Sequence, residues 1–129
     1  MTSQRGVKIQ LLKAPARIAA ADLEDWGKVA EPLGDPVAHL RGHVAVARPD
    51  GAFAAGVWEC TAGKWRRQVK QAEFCHFVAG HCFFQPDGGE RLEIRAGDAV
   101  FFPENTTGTW EVIETVRKTY VTFTPARKV

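Results

Sequence analysis

Turn-forming clusters recur at short intervals through most of the chain. They stand at Pro49-Asp50-Gly51, Thr61-Ala62-Gly63, Pro86-Asp87-Gly88-Gly89, Ala96-Gly97-Asp98 and Asn105-Thr106-Thr107-Gly108. The stretches between them are short and rich in Val, Phe, Trp, Ile and Thr, as in Phe74–Val78, Ala99–Phe102, Thr109–Ile113 and Thr119–Thr124. Proline, glycine and asparagine at such intervals favour turns, and β-branched and aromatic residues suit a pleated, half-buried surface. Short strands at this spacing predict an all-β sandwich or barrel. Glycines and β-branched residues interrupt every candidate helical window between the turn clusters.

The first part of the chain reads differently. Residues 1–6 are expected to be a loose tail, and Val7–Leu12 a first strand. Residues 15–30 are rich in alanine, and Asp22-Leu23-Glu24-Asp25 predicts the start of a short helix with acidic residues at its positive end. Pro32, Gly34 and Pro36 would stop it. A single domain over 1–129 is expected, with 1–36 an N-terminal extension and 37–124 the barrel.

Charge and cysteine content narrow the setting. A net charge of +2 in 129 residues gives no electrostatic footprint for nucleic acid or a membrane surface. No apolar run approaches the length of a membrane span. Cys60, Cys75 and Cys82 cannot all pair within one chain, so reduced thiols and a cytoplasmic setting are expected.

Several short motifs share one order: Gly-Val-Trp-Glu-Cys at 56–60, Glu-Phe-Cys-His at 73–76 and Gly-Asp at 97–98. Gly-Thr-Trp-Glu-Val follows at 108–112 and Val-Arg-Lys-Thr-Tyr at 116–120. Glu73 precedes Gly80, and Gly97 precedes Pro103, in the spacing of the two cupin motifs. The chain resembles the small single-domain cupins related to ureidoglycine aminohydrolase, over roughly residues 22–123. That resemblance implies a double-stranded β-helix, or jelly-roll barrel, with a ligand cavity inside, usually in a homodimer.

The resemblance also implies a metal site, and here the chain departs from it. The two histidines expected before the motif glutamate fall at Arg67 and Val69, or in the other register at Arg66 and Gln68. The third falls at Gly108. Imidazole is the usual nitrogen donor for transition metals. No metal and no cofactor are therefore expected at the ordinary position. Cys75-His76 and His81-Cys82 hold the right donor types, but adjacent strand residues point to opposite faces, so both members of a pair reach one ion only across a bulge.

Alternation puts Glu73, Cys75 and Phe77 on one face and Phe74, His76 and Val78 on the other. The resemblance turns the Glu73 face inward. An inward carboxylate needs a partner cation, hydrogen-bond donors or a proton. Glu73 is thus the candidate acid–base residue or, equally, one half of a structural ion pair. Arg67, Lys118 and Tyr120 are candidate partners or ligand contacts, although solvent is the default place for an arginine or lysine. Trp65 and Trp110 are candidate walls, with Trp110 in phase to fill the space of the missing metal. Trp58 is expected in the core and Trp26 in the helix, and His39 and His43 near an early strand.

Three readings of function follow. The first is a barrel that binds a polar metabolite and transforms it by metal-free acid–base chemistry. The second is a binding or accessory protein without catalysis. The third is a metal-dependent, aminohydrolase-like enzyme, against which the lost histidines weigh. Fold alone does not separate the first two.

Overall fold

The computed structural model describes residues 8–125. Eight antiparallel strands carry the fold: β1 (Glu24–Lys28), β2 (His39–Ala47), β3 (Phe53–Cys60), β4 (Gly63–Val69), β5 (Ala72–Pro86), β6 (Leu92–Arg95), β7 (Ala99–Phe102) and β8 (Thr106–Phe123). They pair in the order β1-β2-β3-β8-β5-β6, with β4 also on β8 and β7 also on β5. The all-β architecture expected from the turn spacing forms, and with it the jelly-roll that the resemblance implies.

Two long strands organise everything else. β8 pairs with β5 from Gly108 to Phe123. On its other edge it pairs with β4 through residues 106–112 and with β3 through residues 116–123. The runs Thr109–Ile113 and Thr119–Thr124, expected as separate strands, are therefore one strand. Nothing between them is a turn former, and the bend is taken up instead by β5. Register shifts fall there between Phe77 and Cys82. Gly80 sits at the shift with φ +90°, and a Cβ on it would lie 2.1 Å from the Thr115 carbonyl oxygen. Only glycine fits where the two strands bend against each other.

The N-terminal expectations are corrected. No strand forms over residues 8–12, and Val7, like the tail 1–6, lies outside the described residues. Ile9 and Leu11 alternate correctly for a strand but are exposed, with no partner strand beside them. The expected helix is replaced by single 3-10 turns at Pro15–Arg17 and Ala20–Asp22, followed by β1. Edge pairing outweighs the helix propensity of the alanines. β1 pairs with β2 through Glu24–Gly42 and Lys28–His39. Trp26 belongs to this strand and packs over Gly42, where a Cβ would lie 2.1 Å from the indole ring. Asp25 sets the local bulge by accepting the Gly27 N–H at 2.8 Å, and holds His39 Nε2 at 2.6 Å. His43 is exposed.

The core lies between the two halves of the bent sheet. Trp58, Trp65, Phe77, Phe84, Ile94, Phe102, Trp110 and Val112 fill it, together with Cys60, Cys75 and Cys82. All three thiols are free and buried. No helix among the described residues is long and apolar enough to cross a membrane.

Candidate functional site

Alternation along β5 runs as the sequence predicts: Glu73, Cys75 and Phe77 are buried, and Phe74 and His76 are exposed. Register then builds a row across three strands. Trp58 on β3 stands opposite Lys118 on β8, and Lys118 stands opposite Phe77 on β5. The Lys118 side chain turns inward with this row, against the default of a solvent-facing lysine. Its Nζ lies 2.8 Å from Glu73 Oε2. Each of these two residues is 4% exposed.

Aromatic rings enclose the ammonium group. Lys118 Nζ is 4.2 Å from the Trp58 ring centroid, 5.4 Å from Trp110, 5.6 Å from Phe77 and 5.7 Å from Phe102. Ring faces carry partial negative charge and attract a cation, more strongly when water is excluded. The site therefore holds one full ion pair in an otherwise apolar box. Tyr120 shares the Lys118 face and is half-buried. Burial, and then the Glu73 charge, push its phenol above the ordinary range.

The other predicted residues take lesser places. Arg67 does not provide the Glu73 counter-ion. Its guanidinium lies over Trp65 at 5.6 Å and it is partly exposed. Trp65, Trp110 and Trp58 form a mutually touching cluster, with centroids 5.9–6.5 Å apart. The Trp65 indole N–H is buried without a well-formed hydrogen bond, and the group beside it is the Cys60 thiol. Burial pushes Cys60, Cys75 and Cys82 up to about 12, so none is a thiolate near neutrality.

The register also tests the donor set for a metal. Arg67 faces Gly108 across β4 and β8, and Val69 is buried while Gln68 is exposed. The inward register is thus Arg67, Val69 and Gly108, which offers no imidazole beside Glu73. A Cβ at Gly108 would lie 2.5 Å from the Phe84 ring. Phe84, together with Trp110, takes up that space. The residues do not fit a cupin metal. Among the described residues no three His, Cys, Asp or Glu side chains converge elsewhere.

Sequence reasoning missed three participants. Trp58 is the nearest ring to Lys118, and its inward phase was the available signal. Phe84 and Phe102 pack edge to face at 5.2 Å and form the other wall of the box. Beyond them opens a cleft of about 390 Å³, lined by Phe84, Leu92, Val100, Phe102, Pro103 and Thr106 among others. Its rim is fixed by Arg66, which donates to both Asp87 carboxylate oxygens at 2.8 and 2.7 Å. That fork holds the Asp87 carboxyl at about 2.

A second buried ion pair lies on the opposite face. Arg117 Nε donates to Glu59 at 3.2 Å, and both side chains are buried. The Arg117 Nη1 group donates to the Pro15 carbonyl at 3.0 Å and to the Ile18 carbonyl. This pair straps the N-terminal segment to the outside of the sheet.

A jelly-roll with the motif glutamate inside it defines the class of cupin barrels. The chain belongs to the EutQ-like cupin domain family, whose profile matches residues 47–120. Solved structures with this fold include a protein of unknown function of the DUF861 family from Pseudomonas syringae pv. tomato. It has a TM-score of 0.69 and 21% identity, over 78% of this chain and 43% of that one. The chain therefore spans under half of that protein. A putative ethanolamine utilization protein Q from Salmonella typhimurium matches with a TM-score of 0.56 and 23% identity, over 67% of this chain and 69% of that one. The EutQ protein of Clostridium difficile matches with a TM-score of 0.59 and 16% identity, over 73% and 76%. No curated protein matches this chain.

Proposed function

We propose that the barrel binds a small carbonyl or amide-like metabolite and moves a proton on it without a metal. The observation that carries this reading is the Glu73–Lys118 pair, 2.8 Å apart inside an aromatic box. A buried ion pair is a poor stabiliser, since apolar residues of similar volume commonly do as well. It does, however, set a donor and a base side by side where water is scarce. Lys118 would donate a hydrogen bond to a carbonyl oxygen. Glu73 would take the proton from the adjacent carbon and return it, so that the net change is a tautomerisation or isomerisation. The finer kinship with ureidoglycine aminohydrolase relatives lacks its donor set, so hydrolysis through a metal is not part of this proposal.

A second reading has its own support. Trp110 and Phe77 are fully buried and lie beside the Lys118 ammonium group, as they would if the pair were only structural or the barrel only a binding module. Deuterium wash-in separates these readings. A panel of small ketones, aldehydes and amides is incubated in D2O with the protein. Exchange at the carbon next to the carbonyl, absent with the Glu73→Gln/Lys118→Met double variant, supports the proposal. If binding shifts the melting temperature but no compound exchanges, the barrel is a binding module. If no compound binds or exchanges, the pair is structural.

We also propose that the protein works as a homodimer. Phe74 and Phe101 stand opposite each other on β5 and β7 and are about half exposed. Light scattering on the wild type and on Phe74→Glu tests whether this face holds two copies together.

A further inference from the structure

The Glu73–Lys118 box and the cleft at the start of β8 share one wall, the ring of Phe102. On its inner side that ring lies 5.7 Å from Lys118 Nζ. On its outer side it lines the cleft of about 390 Å³. Phe102 is 3% exposed, and it is braced by Phe84 at 5.2 Å and Trp110 at 5.8 Å. The two spaces are thus one phenyl ring apart. The rest of the frame is held: the rim by the Arg66–Asp87 fork, and the turn by Thr106 Oγ1 donating to the Pro103 carbonyl at 2.6 Å.

We infer that Phe102 is the door between this cleft and the buried pair, and that the cleft is the apolar subsite for a flat, neutral molecule bearing a carbonyl group. This rests on the proton-transfer reading for what happens inside, but not for the door itself. Three features define the ligand. The cleft volume falls in the range of small-molecule sites. Phe84, Phe101 and Phe102 are among its lining residues, and aromatic side chains suit a planar apolar body packed face or edge on. Among its lining residues only Asp87 is charged, and that charge is committed to Arg66. The interior is likewise neutral in sum, one ammonium against one carboxylate. A charged ligand would bring an uncompensated charge into it, which burial opposes strongly. A neutral carbonyl asks only for the hydrogen bond that Lys118 is placed to give. Side-chain rotation is the simplest opening, because β7 itself is pinned to β5 through Glu73–Phe102 and its neighbouring pairs.

Acrylamide, a small neutral amide, serves as the probe, and the tryptophans as the detector. In a Trp26→Phe background the remaining indoles, Trp58, Trp65 and Trp110, are all buried. Phe102→Ala is expected to raise acrylamide quenching several-fold. Phe77→Ala removes another buried ring near Lys118, one that does not line the cleft, and should leave quenching close to the parent. Near-UV circular dichroism verifies folding, and Phe102→Leu replaces the alanine variant if that one unfolds. Benzamide titrated into labelled protein should shift resonances of Leu92, Val100 and Thr106 before any inside the barrel. Equal quenching in the Phe77 and Phe102 variants, or benzamide shifts confined to another surface, would overturn the inference. Quenching as expected with no deuterium wash-in leaves the door in place and removes the proposed chemistry.

Discussion

Arg117 and Lys118 are neighbours in sequence and point to opposite faces of β8, and each is buried against a glutamate. Their surroundings differ in kind. Outside, the Arg117 fork meets Glu59 and the carbonyls of Pro15 and Ile18, so its charge is spread over three acceptors. Inside, Lys118 has Glu73 as its ion-pair partner and four aromatic rings around its ammonium group. A planar fork suits several fixed acceptors, whereas an ammonium on a flexible stem suits a single acceptor and room to approach another. The outer pair is built as a fastening. The inner pair keeps donor capacity in reserve, which is what a ligand needs.

The largest effect should come from breaking the inner pair on one side. Lys118→Met leaves the Glu73 carboxylate buried alone and is expected to lower stability by about 3–5 kcal/mol in urea unfolding. Glu73→Gln should do the same through Lys118. The double variant sharpens the contrast, because with both charges gone most of that loss should return. The corresponding outer double variant, Glu59→Gln/Arg117→Met, should not recover. It leaves the Pro15 and Ile18 carbonyls without their donor, at about 1–3 kcal/mol each where they stay buried. Equal recovery in both double variants would erase the distinction between fastening and site.

Smaller effects probe each pair's surroundings. Gly108→Ala forces a Cβ against the Phe84 ring and should destabilise by about 1–3 kcal/mol, read as a fall in melting temperature. Arg117→Lys keeps the charge and loses the fork. Hydrogen exchange should then speed up over residues 15–23 while the barrel amides stay protected. A further test is alkaline. The three thiols are raised in the fold from an ordinary 9.0 to about 12. The folded protein therefore holds protons that the unfolded chain releases, and stability is complete below pH 9 and declines from there towards pH 12. Replacing Cys60, Cys75 and Cys82 by alanine should flatten this decline in melting temperature between pH 8.5 and 10.5. The native thiols should also resist a disulfide reagent at pH 8.

The sequence carried the strand framework and the inward face of β5, because both depend on residues close in the chain. Turn clusters bound the strands, and alternation sorts Glu73 from Phe74. The counter-ion was not legible in the same way. Choosing Lys118 over Arg67 needs the register of β8 against both β3 and β5, and no local pattern reports it. The Glu59–Arg117 clamp depends on contacts 58, 99 and 102 residues apart in the chain. The N-terminal helix failed for a related reason. Alanine content speaks for a local preference, but the free edge of β2 offered Glu24–Lys28 a better partner.

One consequence of β8 concerns how the chain assembles as it is made. This strand is the common neighbour of β3, β4 and β5. Until it emerges, those three have edges with nothing to pair to, and the segment around Pro15 and Ile18 has no anchor. The growing chain can pair β1-β2-β3, and β5 with β6 and β7, but the edges of β3, β4 and β5 that face β8 stay on show until it arrives. Its long-range pairings also place it among the slower-folding topologies. The last long strand works as a keystone, and the molecule exists as a barrel only after it is set.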